Sequence, residues 1–357
     1  MEFEQQLKSP ITPLPIAIIG AGGIIRDAHL PAYQKAHYEI LGVYDIDKAK
    51  IDQLKHDFPG IRTTFNTLAE LIKHVGNQRI IYDVAVPANH LYSILEQLPI
   101  GSIVLMQKPM GESLDEAIRI QELCIKKKFV SAVNFQLKYA PYMLAARDII
   151  SQGLIGEVFD VEIKVCTHTP WELWDFLKEK PRVEVLYHSI HYVDLVRSLL
   201  GNPTKVYASS IRHPRTSDLA ATRSSIILDY DEFTQARILT NHGHDYGTKH
   251  QESYLKIEGS KGAIKVLIGL SLNYPKGLPP KMEFYTAESK EWKEIPLIGG
   301  WFPDAFIGSM TNLQNHTLDK SIPLRNSSED ALQTMELVEK IYESSEKGGI
   351  IFKSKKI

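Results

Sequence analysis

Short apolar runs alternate with amphipathic segments through the first third of the chain. A run of four to seven apolar residues is typical of a buried strand, and recurrence of apolar residues every three to four positions is typical of a helix. The pattern predicts strands at 16–19, 39–44, 80–86, 102–106 and 130–134, and helices at 26–36, 48–58 and 113–127. Strands that alternate with helices indicate a parallel sheet covered on both faces.

The pattern changes after Gly153. Strand-like stretches then follow one another with few helices between them, at 158–167, 205–212, 222–229, 234–240, 252–258, 263–268 and 281–286. Helical periodicity is confined to 183–200, 304–318 and 329–346. Such a succession predicts a mostly antiparallel sheet. With a length of 357 residues, we expect two α/β domains, at 1–136 and 137–357.

Charge and composition exclude several classes of partner. The 41 basic and 43 acidic residues leave a net charge of −2, which gives no bulk attraction to nucleic acid or to an anionic membrane. Cys124 and Cys166 show neither disulfide nor metal-ligand spacing. The scattered histidines show no metal-ligand spacing either: His188, His242, His244 and His250. The polar, acidic first residues do not resemble a signal peptide. We therefore expect a cytoplasmic protein without a metal.

The segment that carries most chemical information follows the first predicted strand. Gly20, Gly22 and Gly23, with Ile24 after them, form a glycine turn between a strand and a helix. In a dinucleotide-binding turn the first glycine permits the tight turn and the second admits the pyrophosphate to the helix N-terminus. Ile25 occupies the place of the third small residue, whose usual role is close packing of helix on strand.

An acidic residue ends the second predicted strand. Asp45 lies about 20 residues beyond the glycines, where a carboxylate binds the ribose hydroxyls of a dinucleotide. The same charge repels a 2′-phosphate. The sequence therefore predicts NAD as cofactor in preference to NADP.

Polar residues also follow the next two buried strands. Pro87 and His90 come after one strand, and Gln107, Lys108 and Pro109 come after the other. Ligands of open α/β sheets bind at the carboxyl ends of strands, so we expect these residues beside the nicotinamide. A lysine there can bond a reacting hydroxyl, and burial can lower its pKa enough for proton transfer.

A histidine-containing helix provides a second candidate for proton transfer. Tyr187, His191 and Asp194 have helical spacing that predicts a shared face, and His188 lies beside them. A histidine is suited to accept a proton near neutral pH.

Taken in order, these motifs resemble the Gfo/Idh/MocA family of glucose–fructose oxidoreductases, inositol dehydrogenases and rhizopine-catabolism proteins. The resemblance runs from Ile16 to about Gly349 and includes the Gly156-Glu-Val segment and the Gly259-Ser-Lys-Gly262 hairpin. It implies an N-terminal Rossmann domain and a C-terminal α/β domain with an open, mostly antiparallel sheet. It also implies NAD(P)-dependent oxidation or reduction of sugars and cyclitols, and a homodimer or homotetramer formed through that sheet.

The resemblance carries over to two catalytic positions and departs at others. Lys108 matches the family's catalytic and substrate-binding lysine, and His191 matches its acid/base histidine. Gln107 replaces a glutamate, Tyr187 replaces the aspartate four residues before the histidine, and Lys138 replaces a common arginine. The chain therefore lacks an anion that could orient His191. Asp194 or Glu184 could substitute for it, or Lys108 and Tyr187 could share the proton.

The sequence thus predicts an NAD-dependent sugar or polyol dehydrogenase with Lys108, His191 and Tyr187 as catalytic residues. Lys138, His188 and Trp171 are predicted to line the substrate pocket. Trp171 and Trp174 could stack on a sugar ring or, alternatively, pack in a lid or in the core. Two other functions stay open. One is redox-assisted glycoside cleavage with retained NAD, and the other is non-catalytic sensing of cofactor or sugar.

Overall fold

The computed structural model describes residues 2–274 and 276–351. Its first sheet has six parallel strands: β1 (Ile16–Ile19), β2 (Ile40–Tyr44), β3 (Thr64–Phe65), β4 (Ile81–Val84), β5 (Ile103–Met106) and β6 (Val130–Val133). Their order is β3-β2-β1-β4-β5-β6, the doubly wound Rossmann order. The prediction of a parallel sheet is confirmed. The order reverses between β1 and β4, which places the binding crevice at their carboxyl ends.

Five helices cover this sheet: α1 (Leu30–Lys35), α2 (Lys48–Asp57), α3 (Leu68–Val75), α4 (Ala88–Gln97) and α5 (Leu114–Lys126). Side-chain caps fix several of their starts. Asp47 accepts from the Ala49 amide, and Ser113 accepts from the Glu116 amide. The sequence analysis did not predict β3, which has only two residues, α3, which has eight, or the extent of α4.

The first helix is widened where the glycine motif departs from its usual form. A π-helical turn, Ile25–His29, precedes α1. Ile25 is fully buried in it and packs where a small residue would let the helix approach the strand more closely.

The second sheet has eight strands: β7 (Val158–Cys166), β8 (Lys205–Ile211), β9 (Arg223–Asp229), β10 (Gln235–Asn241), β11 (Glu252–Gly259), β12 (Gly262–Leu267), β13 (Lys281–Thr286) and β14 (Trp292–Glu294). Their order is β14-β13-β12-β11-β7-β10-β9-β8. All neighbours are antiparallel except β7 and β10, so the prediction of a mostly antiparallel sheet is confirmed.

Four helices accompany this sheet: α6 (Pro141–Ser151), α7 (Ile190–Leu200), α8 (Phe306–Leu318) and α9 (Ser328–Lys347). Two of them return to the first sheet. Phe306, Met310 and Leu313 of α8 join the apolar cluster around β1 and α1, and α9 packs on α5 and β6. The two sheets therefore share buried surface, and a division at residue 136 stays a prediction. Among the described residues, no helix has the length and apolar character needed to cross a membrane.

Candidate active site

The glycine turn has the two properties that a dinucleotide requires. Gly20 has φ of +106°, and a Cβ there would lie 2.4 Å from the carbonyl oxygen of Ala85, so only glycine fits. At Gly22, by contrast, a Cβ would meet nothing within 4 Å. The turn is thus closed on the side of the sheet and open on the outer side, where Gly23 is exposed and Ile24 is partly buried.

Asp45 is held against this turn. Its Oδ2 accepts a 2.6 Å hydrogen bond from the Ala21 amide, and its Oδ1 accepts one of 2.8 Å from the Asp47 amide. The predicted ribose-binding carboxylate is therefore adjacent to the predicted pyrophosphate-binding loop.

The residues after β4 and β5 lie at the same edge of the sheet. Pro87 is the N-cap of α4, and His90 is exposed in the first turn of that helix. The Gln107 amide donates to the Val84 carbonyl over 2.9 Å, which ties the ends of β4 and β5 together. The Oε1 of Gln107 is buried without a partner among the described residues, so it is available to a ligand.

Lys108 connects this edge of the sheet to the segment that precedes α7. It precedes a cis peptide bond to Pro109, and its Nζ donates a 2.7 Å hydrogen bond to the main-chain oxygen of Tyr187. Burial lowers the pKa of Lys108 to about 8. This ammonium therefore stays charged near neutral pH but gives up its proton more readily than an exposed lysine.

Tyr187 does not share a face with His191 and Asp194 as predicted. The chain forms a π-helical turn, Glu184–Ser189, before α7, and such a turn holds more residues than an α-helical one. The Tyr187 hydroxyl points elsewhere and donates to Glu112 over 2.9 Å, while Lys180 binds the same carboxylate at 2.7 Å. Burial, and then Glu112, raise the pKa of Tyr187, so the phenol stays neutral.

His191 is held by aromatic rings rather than by a carboxylate. Phe135 and Trp301 meet its ring edge-on, with centroids 6.5 and 5.3 Å away. Its Nδ1 is buried and has no hydrogen-bond partner within the described chain. Burial, and then the charge of Lys108, keep the pKa of His191 well below its usual value. The imidazole is therefore neutral and able to accept a proton.

His188 lies among a second set of aromatic rings. Its ring meets Trp171 at 4.8 Å, Trp174 at 5.9 Å and His242 at 4.9 Å between centroids, and the side chain is only partly buried. Burial, followed by the charges of His242, Lys108 and His191, holds its pKa well below the usual value. Lys108 reaches this segment through its bond to the main-chain oxygen of Tyr187, the residue before His188.

A buried group of hydrogen-bonded residues behind His188 was not predicted from the sequence. His242 Nε2 lies 3.2 Å from Glu184 Oε1, and its Nδ1 lies 2.8 Å from Thr169 Oγ1. Burial alone would raise the pKa of Glu184, but the bonds to His242 and Ser189 hold it below its usual value. Glu184 is thus committed to His242 and does not replace the carboxylate missing at position 187. In the sequence, this group was indicated only by His242, a histidine without an assigned role that directly follows β10.

Lys138 requires a correction. Its side chain is 1% exposed, and its Nζ lies 3.1 Å from Asp194 and 3.4 Å from Asp330. Thr334 also donates to Asp194, at 3.2 Å. The predicted substrate contact does not fit, because this ammonium is satisfied inside the protein. For the same reason Asp194 cannot orient His191.

The arrangement suits proton transfer beside a dinucleotide. One charged lysine and two neutral imidazoles lie at the carboxyl edge of the Rossmann sheet, next to a turn that fits a pyrophosphate and a carboxylate that fits a ribose. In residues 2–274 and 276–351, no three His, Cys, Asp or Glu side chains are grouped as metal ligands.

Comparison with known proteins agrees with this architecture. Residues 14–135 match the NAD-binding Rossmann-fold model of the Gfo/Idh/MocA oxidoreductase family, and residues 147–351 match its C-terminal alpha/beta domain model. The D-apiose dehydrogenase of Paraburkholderia graminis is 23% identical over 93% of this chain and 88% of its own. The glucose-6-phosphate 3-dehydrogenase of Bacillus subtilis is 30% identical, over only 42% of this chain and 41% of its own.

Solved structures show the same fold. The aldose-aldose oxidoreductase of Caulobacter crescentus, crystallised with glycerol, superposes with a TM-score of 0.79 at 14% identity. The superposition covers 95% of this chain and 99% of that one. With both domain models matched in order and the dinucleotide turn in place, the chain belongs to the Gfo/Idh/MocA family and is an NAD(P)-binding oxidoreductase.

Proposed function

We propose that the protein is an NAD-dependent dehydrogenase that oxidises a hydroxyl carbon of a sugar, polyol or cyclitol. The observation that carries this proposal is the position of Lys108. Its ammonium, held at the end of β5 by the Tyr187 carbonyl, lies beside two neutral imidazoles at the dinucleotide-binding edge.

The cofactor is assigned to residues whose shape and charge fit it. Gly20, Gly22, Gly23 and Ile24 would hold the pyrophosphate, and Asp45 would bind the ribose hydroxyls. We favour NAD over NADP because the Asp45 carboxylate would repel a 2′-phosphate. Pro87, His90 and Gln107 line the edge on which the nicotinamide would lie. When bound, the nicotinamide supplies the hydride acceptor.

The protein's own groups handle the proton. In this mechanism Lys108 donates a hydrogen bond to the reacting hydroxyl oxygen and stabilises the negative charge that develops there. His191, neutral in the resting site, takes the hydroxyl proton as the carbon becomes a carbonyl. Its low pKa favours release of that proton afterwards. Tyr187 contributes its backbone carbonyl by positioning Lys108, and Trp171 and His188 form the wall of the substrate pocket.

A homo-oligomer formed through the second sheet is also proposed. The outer face of β8, β9 and β10 carries Tyr207, Ile211 and Leu239, which are 50%, 49% and 45% exposed. Exposed apolar residues that lie together on one face are typical of an interface between subunits. Size-exclusion chromatography with light scattering tests this, and a monomer at micromolar concentration would contradict it.

The test of the proposed reaction is NADH formation over a panel of aldoses, cyclitols and polyols. Wild type is compared with Lys108→Ala, His191→Ala and the control Lys340→Ala, whose side chain is exposed on α9. Loss of a general acid or base lowers turnover by about 10²–10⁴-fold. We expect that loss in the first two variants only. Undiminished turnover in both would contradict the assignment of the site.

A further inference from the structure

The cleft around Lys108 contains hydrogen-bond donors that have no partner within the described protein. A lysine has three N–H donors, and Lys108 uses one of them on Tyr187, which leaves two. The indole nitrogen of Trp171, which can only donate, is buried without a partner in the part of the chain that the structure describes. Trp171 lies against His188, and His191 has its own unpartnered buried Nδ1. The free donors of Lys108 and Trp171 require acceptors from a ligand.

Each carboxylate near the cleft has a partner other than Lys108. Glu112 binds the Tyr187 hydroxyl and Lys180, and Glu184 binds His242 and Ser189. Asp194, the third, is paired with Lys138 in the interior. Among the described residues Lys108 forms no ion pair with any of them, and its one hydrogen bond goes to a main-chain oxygen.

Lys108 is the charged group that acts on both histidines of the cleft. Burial is the main cause of the lowered pKa of Lys108, His188 and His191, and the charge of Lys108 lowers the pKa of the two histidines further. Near neutral pH the two imidazoles are uncharged. Lys108 therefore supplies one uncompensated positive charge.

We propose that the substrate is a monoanionic polyhydroxy acid, with its carboxylate on the carbon next to the hydroxyl that is oxidised. This rests on the proposed dehydrogenase function and narrows its substrate class. The two free donors of Lys108 then bind one oxygen of the hydroxyl and one of the carboxylate, and Trp171 Nε1 donates to the remaining carboxylate oxygen. A monoanion matches the single charge of Lys108, whereas a phosphate dianion would leave a buried negative charge.

The replacement at position 187 is consistent with this substrate. An aspartate at the residue whose carbonyl holds Lys108 would add a negative charge to this region and weaken its attraction for a substrate carboxylate. Tyr187 is neutral at neutral pH and directs its hydroxyl to Glu112, so the cleft keeps its positive charge.

The experiment compares matched ligands that differ in one substituent. D-Gluconate, D-glucitol and D-glucitol 6-phosphate are compared, and so are D-galactonate and galactitol. For the full-length protein, the dissociation constant of each ligand is measured by tryptophan fluorescence in the presence of NADH, and kcat/KM is measured with NAD+. A charge-assisted hydrogen bond predicts that each acid binds about 10–100-fold more tightly than its polyol.

Variants test the origin of the preference. Lys108→Ala removes the charge, and Tyr187→Asp adds an opposing one, so each is expected to abolish the preference for the acid. Lys340→Ala, the control on α9, is expected to retain it. The comparison of ligands in the wild-type protein decides the question even if a variant fails to fold.

The outcomes separate this inference from the proposed function. Tighter binding of the acids supports the inference, and if no NADH then forms, the dehydrogenase function is contradicted while the acid site stands. Equal or tighter binding of the polyols or of the phosphate overturns the inference, and NADH formation from them would leave the dehydrogenase function intact. Failure of every compound to bind overturns the inference as well.

Discussion

The ammonium of Lys108 and the main-chain oxygen of Tyr187 lie 2.7 Å apart and join the edge of the Rossmann sheet to the turn that precedes α7. This bond fixes the direction of the Lys108 ammonium. It also explains why a tyrosine is compatible with position 187: the contact with Lys108 is made by the backbone, and the side chain is free to bind Glu112.

The depressed pKa of Lys108 predicts a specific pH dependence of stability. Its folded value of about 8 lies below the ordinary 10.5, so the unfolded chain binds more protons between these values. The free energy of unfolding of the wild type therefore increases as pH rises from 8 to 10.5. Below pH 8 the full cost of burying the charged ammonium is present. Relative to wild type, Lys108→Met should become progressively less stable between pH 8 and pH 10.5.

Thermal denaturation at the two ends of the window measures this difference. Lys340→Met, altered at an exposed lysine, is the control and should track wild type. If the difference in stability between Lys108→Met and wild type stays constant with pH, or changes in the opposite direction, Lys108 is not desolvated.

The two glycines of the turn should respond differently to alanine. Gly20→Ala places a Cβ 2.4 Å from the Ala85 carbonyl at a positive φ, so we expect a stability loss of about 1–3 kcal/mol. Gly22→Ala places its Cβ in open space, so stability should change by about 0.5 kcal/mol or less. Its methyl group would instead meet the pyrophosphate and weaken NAD binding by about 10–100-fold.

Urea denaturation and calorimetric titration with NAD+ distinguish these two effects. If Gly22→Ala binds NAD+ as tightly as wild type, the open side of the turn is not the cofactor site.

Asp45 should determine the choice of dinucleotide. Asp45→Asn removes the charge that repels a 2′-phosphate and weakens the contacts with the ribose. We expect the ratio of kcat/KM for NAD+ to that for NADP+ to fall by about 10–100-fold. Asp47→Asn is the matched control, because asparagine also caps a helix and Asp47 caps α2. An unchanged ratio in Asp45→Asn would remove the basis for preferring NAD.

Lys138 should matter for stability and not for substrate binding. Lys138→Met leaves Asp194 buried without its cation, which typically costs about 3–5 kcal/mol. Replacing both members, in Lys138→Met with Asp194→Leu, should recover part of that loss. KM for folded enzyme should not change in either variant. A raised KM with unchanged stability would restore the substrate contact that the sequence suggested.

The parts of the molecule that sequence predicts well are those that depend on neighbouring residues. The glycine turn, Asp45 and the strand end at Lys108 follow from local backbone chemistry and from strand–helix alternation. The face shared by Tyr187 and His191 was predicted incorrectly, because a single π-helical turn changes the angular positions of the residues within it. Whether such a π-helical turn forms depends on tertiary packing, and an ideal helical periodicity in the sequence does not reveal it.

The site contacts that the sequence did not predict are formed between segments that are distant along the chain. Glu112 reaches Tyr187 across 75 positions, and His242 reaches Glu184 across 58. Lys138 resembled a pocket residue in sequence, but α7 and α9 bring two carboxylates to it. These pairings arise from tertiary packing and leave no periodic signal in the sequence.

The most direct test of hydride transfer uses a substrate deuterated at the carbon that is oxidised. A substrate from the panel that yields NADH is labelled at that carbon, and the product nicotinamide is examined by mass spectrometry. We predict that each reduced nicotinamide formed carries one substrate deuterium, and that Lys108→Ala slows its formation without diverting the label. Label that is lost to solvent, or a labelled substrate that is consumed without net NADH formation, would contradict a dehydrogenase.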